Sequence, residues 1–256
     1  MVCYVTTTGY HESVRQGVIV FDGDDTLWET EPLYDAARDH AAQVVAILGL
    51  DPERFSEIQK QIDIENIAAF GLSQKRFPFS SVKALEILAE DEGVEVGESE
   101  KMAVYEASAS VFSSESPLVP SARAVLQEVV KTHEIALLTK GDEDVQMRRL
   151  NQSGLEEFFT LVSIVKEKDE AAFTEVLEKM EASAAESWSV GNSLKSDIIP
   201  ACNIGMRTIW IDSHVWEHER PPDIKVEDIP EMLQASELNQ VPDLISVDEI
   251  TSNQSV

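Results

Sequence analysis

The chain has 256 residues, enough to bury a sizeable core in one domain or in one domain with an insert. Its apolar fraction of 43% and aromatic fraction of 7% are those of a globular protein, and a formal net charge of -28 makes nucleic acid polymers and anionic membranes poor partners. Cys3 and Cys202 offer neither a disulfide framework nor a zinc spacing, and no apolar run approaches the ~18 residues of a membrane span.

The first ten residues carry no basic region followed by an apolar stretch, so a soluble, cytoplasmic protein with an acidic solvated surface is expected. Val18–Phe21 then forms the first apolar run and predicts a short buried strand. Asp22, Asp24 and Asp25 follow at once. In an extended chain Asp22 and Asp24 project to the same side, where like charges repel and raise each other's pKa. At the C-terminal end of a strand, where open α/β sheets bind ligands, that cost points to an active site.

The next hundred residues are helical by pattern, with apolar spacings of three and four over 34–48, 56–69, 81–91 and 98–110. Pro117 and Pro120 mark the return, with Ser121 placed to cap the following helix. Further strands are predicted at 135–139, Leu161–Val165, 187–191 and 208–211, with helical patterns at 144–153 and 170–182 between them. This alternation indicates an α/β fold, a doubly wound, Rossmann-like parallel sheet, with an all-helical module inserted after the first strand. The expected domains are a core of 1–28 and 118–256 and a helical module of 29–117. A last helix is expected at 228–233 and a frayed tail from Ser246.

The run Phe21-Asp22-Gly23-Asp24-Asp25-Thr26-Leu27-Trp28 resembles the first motif of the haloacid dehalogenase superfamily of hydrolases. The resemblance extends, in the family's order, to Thr139 at the end of a second strand, to a lysine after Leu161–Val165, and to the acidic loop Gly191-Asn192-Ser193-Leu194-Lys195-Ser196-Asp197. It implies that the inserted helical module is a cap domain. It also implies phosphoryl transfer with Asp22 as nucleophile, Asp24 as acid and base, and Thr26 fixing the loop by hydrogen bonding. Thr139 would hold a phosphoryl oxygen, with Lys140 adding positive charge. Lys168, preferred over Lys166 because a helix carrying Phe173 follows it, would bridge nucleophile and phosphate. A Mg²⁺ cofactor is implied, held by Asp22, Asp24 through its backbone carbonyl, Asn192 and Asp197. The family pattern has a carboxylate where this chain has Asn192, which predicts weakened metal binding.

Dehalogenases of the superfamily lack the second Asp of the first motif, so Asp24 favours phosphoester hydrolysis; a mutase shares the same chemistry. A phosphonatase would need a reactive cap lysine, and nothing marks Lys60, Lys75, Lys83 or Lys101 for that role. The closest resemblance is to phosphatases reading Phe-Asp-x-Asp-Asp-Thr-Leu, with Trp28 extending the match, a group that includes nucleotide monophosphatases. The stretch from Gly71 to Pro78 is similar too, and Lys75 and Arg76 there would meet the distal part of an anionic substrate. The expected partner is therefore a small phosphorylated metabolite, of the nucleotide monophosphate or sugar phosphate class. A non-catalytic binding protein of the same fold is the alternative, with Asn192 in its favour. The five histidines show no metal spacing.

Overall fold

The computed structural model describes residues 2–5, 17–212, 226, 229 and 232–253. By internal packing the chain divides into two compact units, one of Met1–Glu29 and Ser116–Val256, the other of Thr30–Glu115.

The first unit opens with strands β1 (Val2–Val5) and β2 (Val18–Phe21). All four residues of β2 are buried because the two faces of the strand enter different cores. Ile19 and Phe21 pack with Trp28, Leu126, Leu137 and Ile209, whereas Val18 and Val20 pack with Ala136, Leu138 and Phe173. A continuous apolar run with both faces covered is the mark of an internal parallel strand.

The second unit is all helical: α1 (Glu31–Ile47), α2 (Pro52–Glu65), the single turn α3 (Ile67–Phe70), α4 (Arg76–Glu92) and α5 (Glu98–Ala109). Asp51 caps α2, accepting from the Glu53 and Arg54 amides at 3.0 and 3.2 Å, and Pro52 opens the helix where no amide is needed. Gly93 ends α4 in the left-handed conformation, φ 66°. The helices close on their own core of Val45, Phe55, Leu85, Leu88 and Val104.

The chain then completes the first unit with α6 (Ala122–Val129), β3 (Glu134–Lys140), α7 (Glu143–Ser153), β4 (Leu161–Val165), α8 (Glu170–Lys179), β5 (Trp188–Gly191), a π turn at Leu194–Ile198, α9 (Ile199–Asn203), β6 (Arg207–Ile211), β7 (Met232–Ala235) and α10 (Val241–Asn253). The sheet order is β1-β4-β3-β2-β5-β6-β7; all neighbours pair parallel except β1, which runs antiparallel to β4 at one edge. The chain winds from β2 through β3 to β4, then returns to the other side of β2 at β5. That reversal places a topological switch point at the C-terminal ends of β2 and β5, where α/β sheets form their ligand crevice.

Three local expectations are corrected. Met232–Ala235 is a strand in register with Thr208–Ile211, not the end of a helix, because so short a segment shows no period of its own and adopts whichever ladder is available. The last helix is Val241–Asn253, with Val241 and Ile245 buried in the sheet core, and it runs on through Ser246, where a frayed tail was expected to begin. Ser121 does not cap α6: it sits at φ 70° and its hydroxyl donates to the Pro120 carbonyl. His11, His214 and His218 lie outside the described residues, as do residues 228, 230 and 231 of the segment expected to form a helix at 228–233. Among the described residues no helix is long and apolar enough to cross a membrane.

Candidate active site

Asp22 is the first residue past β2 and is tied to the neighbouring strand by its amide, which donates to the Val190 carbonyl at 2.9 Å. Lys168 arrives from the loop after β4, and Asp197 from the π turn after β5. The Lys168 ammonium donates to Asp22 Oδ1 and to Asp197 Oδ1, the latter at 2.7 Å, and all three side chains are buried. Asp197 is fixed further by the Ser193 amide, which donates to Oδ2 at 2.8 Å, and by Ser189 Oγ, which donates to its carbonyl at 2.7 Å. Gly191 is required beneath it, since a Cβ there would lie inside the Asp197 carboxylate's van der Waals envelope.

Burial and the Asp197 charge push Asp22 up to about 7, against the opposing pull of Lys168. Burial works against the Lys168 cation, but Asp197 and Asp22 outweigh it and hold the ammonium above its ordinary range. With both carboxylates ionised, two negative charges face one positive charge, so the site carries an excess negative charge in a buried setting.

Asp24 has hydrogen-bond partners of its own, and the like-charge effect expected between it and Asp22 is present as the smallest of the influences on Asp22. The chain turns immediately after Asp22: the Leu27 and Trp28 amides donate to the Gly23 carbonyl at 2.8 and 3.2 Å, and Asp25 takes φ 60°. In the turn Asp24 Oδ1 accepts from Trp28 Nε1 at 2.7 Å, while Oδ2 accepts from Gln146 Nε2 at 3.0 Å and Arg149 at 2.7 Å. The like charge that raises Asp22 is chiefly Asp197, and Asp24 contributes least. Thr26 does not fix the loop by its side chain; its buried hydroxyl has no hydrogen-bond partner, and the backbone turn does the work.

Thr139 lies near the end of β3, next to β2 in the sheet, with its hydroxyl buried and without a hydrogen-bond partner. An orphaned buried hydroxyl is costly unless something polar completes it. Lys140, next along, donates to Ser196 Oγ at 2.7 Å and so joins the β3 end to the π turn. Asn192 is buried, and its carbonyl accepts from Trp210 Nε1 at 2.8 Å. Lys166 is exposed, whereas Lys168 is in the cluster. In the helical unit Lys75 is exposed, but Arg76, expected beside it to meet an anionic substrate group, is committed elsewhere. It is buried, ion-paired with Asp63, and donates to the Asp63 carbonyl at 2.9 Å, because α4 turns that side of its first residues onto α2.

Gln146 and Arg149 escaped the sequence reading. Their signal was two long polar residues three apart on the inward face of α7, beside Val145 and Leu150. Among the described residues no cluster of three Asp, Glu, His or Cys side chains is gathered for a metal. The converging oxygens are instead those of two carboxylates, Asp22 and Asp197. Oxygen donors of this kind suit a hard divalent ion such as Mg²⁺.

A model of the haloacid dehalogenase-like hydrolases matches residues 17–205 of this chain. The glyceraldehyde 3-phosphate phosphatase of Pyrococcus furiosus is 27% identical over 237 residues, covering 87% of this chain and 94% of the relative. The ribulose-1,5-bisphosphate 5-phosphatase of Halopiger xanaduensis is 26% identical over 206 residues, with 76% and 84% covered. In fold, the chain resembles the crystal structure of a haloacid dehalogenase-like family hydrolase from Xanthomonas campestris, with a TM-score of 0.76, 21% identity and coverage of 94% of this chain and 99% of that one.

Proposed function

This chain belongs to the haloacid dehalogenase-like hydrolases, and we propose that within them it is a Mg²⁺-dependent phosphatase of small phosphomonoesters, of the sugar phosphate or nucleotide monophosphate class. The observation that carries the reading is Asp22, a buried carboxylate held by Lys168 at the switch point, with a second carboxylate, Asp24, kept on its own partners two residues away. The names of the relatives, both phosphatases of phosphorylated sugars, support the substrate class.

The chemistry follows from those two carboxylates. An Asp22 oxygen attacks phosphorus; the bond from phosphorus to the ester oxygen breaks, and protonated Asp24 gives that oxygen its proton. The product alcohol leaves an aspartyl-phosphate on Asp22. Water then attacks phosphorus and gives a proton to Asp24, releasing inorganic phosphate and restoring both side chains. Lys168 neutralises charge on Asp22 and on the phosphoryl oxygens, and the orphaned Thr139 hydroxyl donates to one of them. Bound Mg²⁺, held by Asp22, Asp197, the Asn192 amide and the Asp24 carbonyl, would supply charge neutralisation for the transferring group. The helical unit is the cap of this reading, and Lys75 is its exposed candidate for an anionic substrate group.

The test is hydrolysis of an aryl phosphate by the wild type and Asp22→Asn, each with Mg²⁺ and with chelator. Metal-dependent turnover that falls on the order of 10³-fold or more in the variant is expected. A folded wild type that turns over nothing favours the second reading, a binding protein whose Asn192 has lost the metal's charge. Turnover gained by Asn192→Asp would then identify the cause.

A further inference from the structure

We propose that Arg149, acting with Gln146 and Trp28, is the positioning device for the acid–base carboxylate, setting where Asp24 stands when the leaving oxygen is protonated. This rests on the phosphatase reading above and adds to it three residues that touch neither the nucleophile nor its lysine in the described hydrogen bonds.

Three donors converge on one half-buried side chain. Trp28 Nε1 takes Oδ1 at 2.7 Å, and Arg149 and Gln146 take Oδ2 at 2.7 and 3.0 Å. With both oxygens held, the plane and the direction of the carboxyl are fixed. The donors come from two separate elements, the turn after β2 and the inward face of α7, where positions three apart lie side by side. Gln146 ties the group to the sheet as well, since its amide nitrogen also donates to the Lys140 carbonyl at 2.9 Å. The Lys140 carbonyl can only accept, which settles which end of the amide faces it.

The clamp is expensive for the fold. Arg149 is 4% exposed and carries its charge into the protein, although apolar side chains would pack α7 as well. Gln146 Oε1 is buried with no hydrogen-bond partner. The backbone has been cleared for two of the three donors: a Cβ on Gly23 would meet Trp28 Cζ2 at 2.5 Å, and one on Gly141, at φ 133°, would meet Gln146 Nε2 at 3.2 Å. Stability alone calls for none of this, whereas a proton donor that must meet a leaving oxygen in one orientation calls for all of it.

A role through Asp24 has a signature that mere support of the fold lacks. Protonating the leaving oxygen matters much for an alkoxide and little for a stabilised phenolate. The experiment compares kcat/KM, which reports the step that forms the aspartyl-phosphate, for an alkyl phosphate and for 4-nitrophenyl phosphate. Wild type, Arg149→Met, Arg149→Lys, Trp28→Phe and Asp22→Asn are measured. Arg149→Met is expected to lose on the order of 10²-fold on the alkyl ester and only a few-fold on the aryl ester, through kcat. Arg149→Lys should recover most of the loss, and Trp28→Phe, which removes one donor and keeps the ring, should show the same bias to a smaller degree. An equal fall on both esters in every variant, a rise in KM alone, or no change would overturn the proposal. If Arg149→Met does not fold, Trp28→Phe and Arg149→Lys carry the comparison. A wild type whose hydrolysis survives Asp22→Asn, or that hydrolyses neither ester, would overturn the phosphatase reading itself; an Asp22-dependent enzyme without the leaving-group bias would overturn the clamp alone.

Discussion

The side chain whose state decides most is Asp22. Burial and Asp197 together raise it from an ordinary 3.8 to about 7. Between those values the folded protein binds a proton that the unfolded chain does not, so the contribution to stability is full below about pH 4 and is lost as pH rises through about 7. An uncharged Asn at this position is free of that loss. Metal-free Asp22→Asn should therefore melt close to wild type near pH 4 and above it at pH 8, by on the order of 5 °C. Calorimetric scans at the two pH values in chelator check this, and a difference that shrinks with rising pH would contradict it. Asp22 and Asp24 were legible as chemistry because two acids directly after a buried strand are costly. The partners of Asp24 were not legible, since they depend on a turn that begins at Gly23 and on donors more than a hundred residues away, Gln146 and Arg149.

Helices show the same division. The apolar spacing of α2 and α4 follows from the sequence, and the core of Phe55, Leu85 and Leu88 is what it specifies. The polar residues on the same faces carry no such label. Arg76 was expected to meet an anionic substrate group, yet it lies against Asp63, whose pKa burial pushes up while Arg76 pulls it back. A buried pair of this kind is sensitive to losing one partner and tolerant of losing both. Arg76→Ala should destabilise the helical unit by about 3–5 kcal/mol, whereas Arg76→Met combined with Asp63→Leu should fall near wild type or above it. Urea unfolding followed by circular dichroism separates the two outcomes; equal losses would mean that the pair itself stabilises the unit. At the other end of the chain, β7 shows how a strand forms by finding an edge. Met232–Ala235 has too few residues to declare a period, and Thr208–Ile211 supplies the partner.

Across the whole molecule the dominant quantity is charge. A net charge of -28 means that the compact state works against its own repulsion, although individual pairs such as Arg54–Asp91 and Lys101–Glu86 offset it locally. The screening length falls from about 30 Å at 0.01 M salt to about 3 Å at 1 M. The melting temperature should therefore rise as NaCl is raised across that range, and calorimetry at fixed pH reads it directly. A flat or falling curve would mean that local pairing already cancels the repulsion.

The sequence by itself determined the α/β class and the strands that flank the candidate site, because each apolar run has no freedom but to be a buried strand, and the family resemblance picked out Asp22, Thr139, Lys168 and Asp197 on those strands and the loops after them. Tertiary structure alone decided the sheet order, the antiparallel β1 edge, the burial of Arg76 and the partners of each carboxylate. Those outcomes rest on contacts between segments far apart in the chain, where a side chain's chemistry says what it can bond and only the fold says what comes within reach.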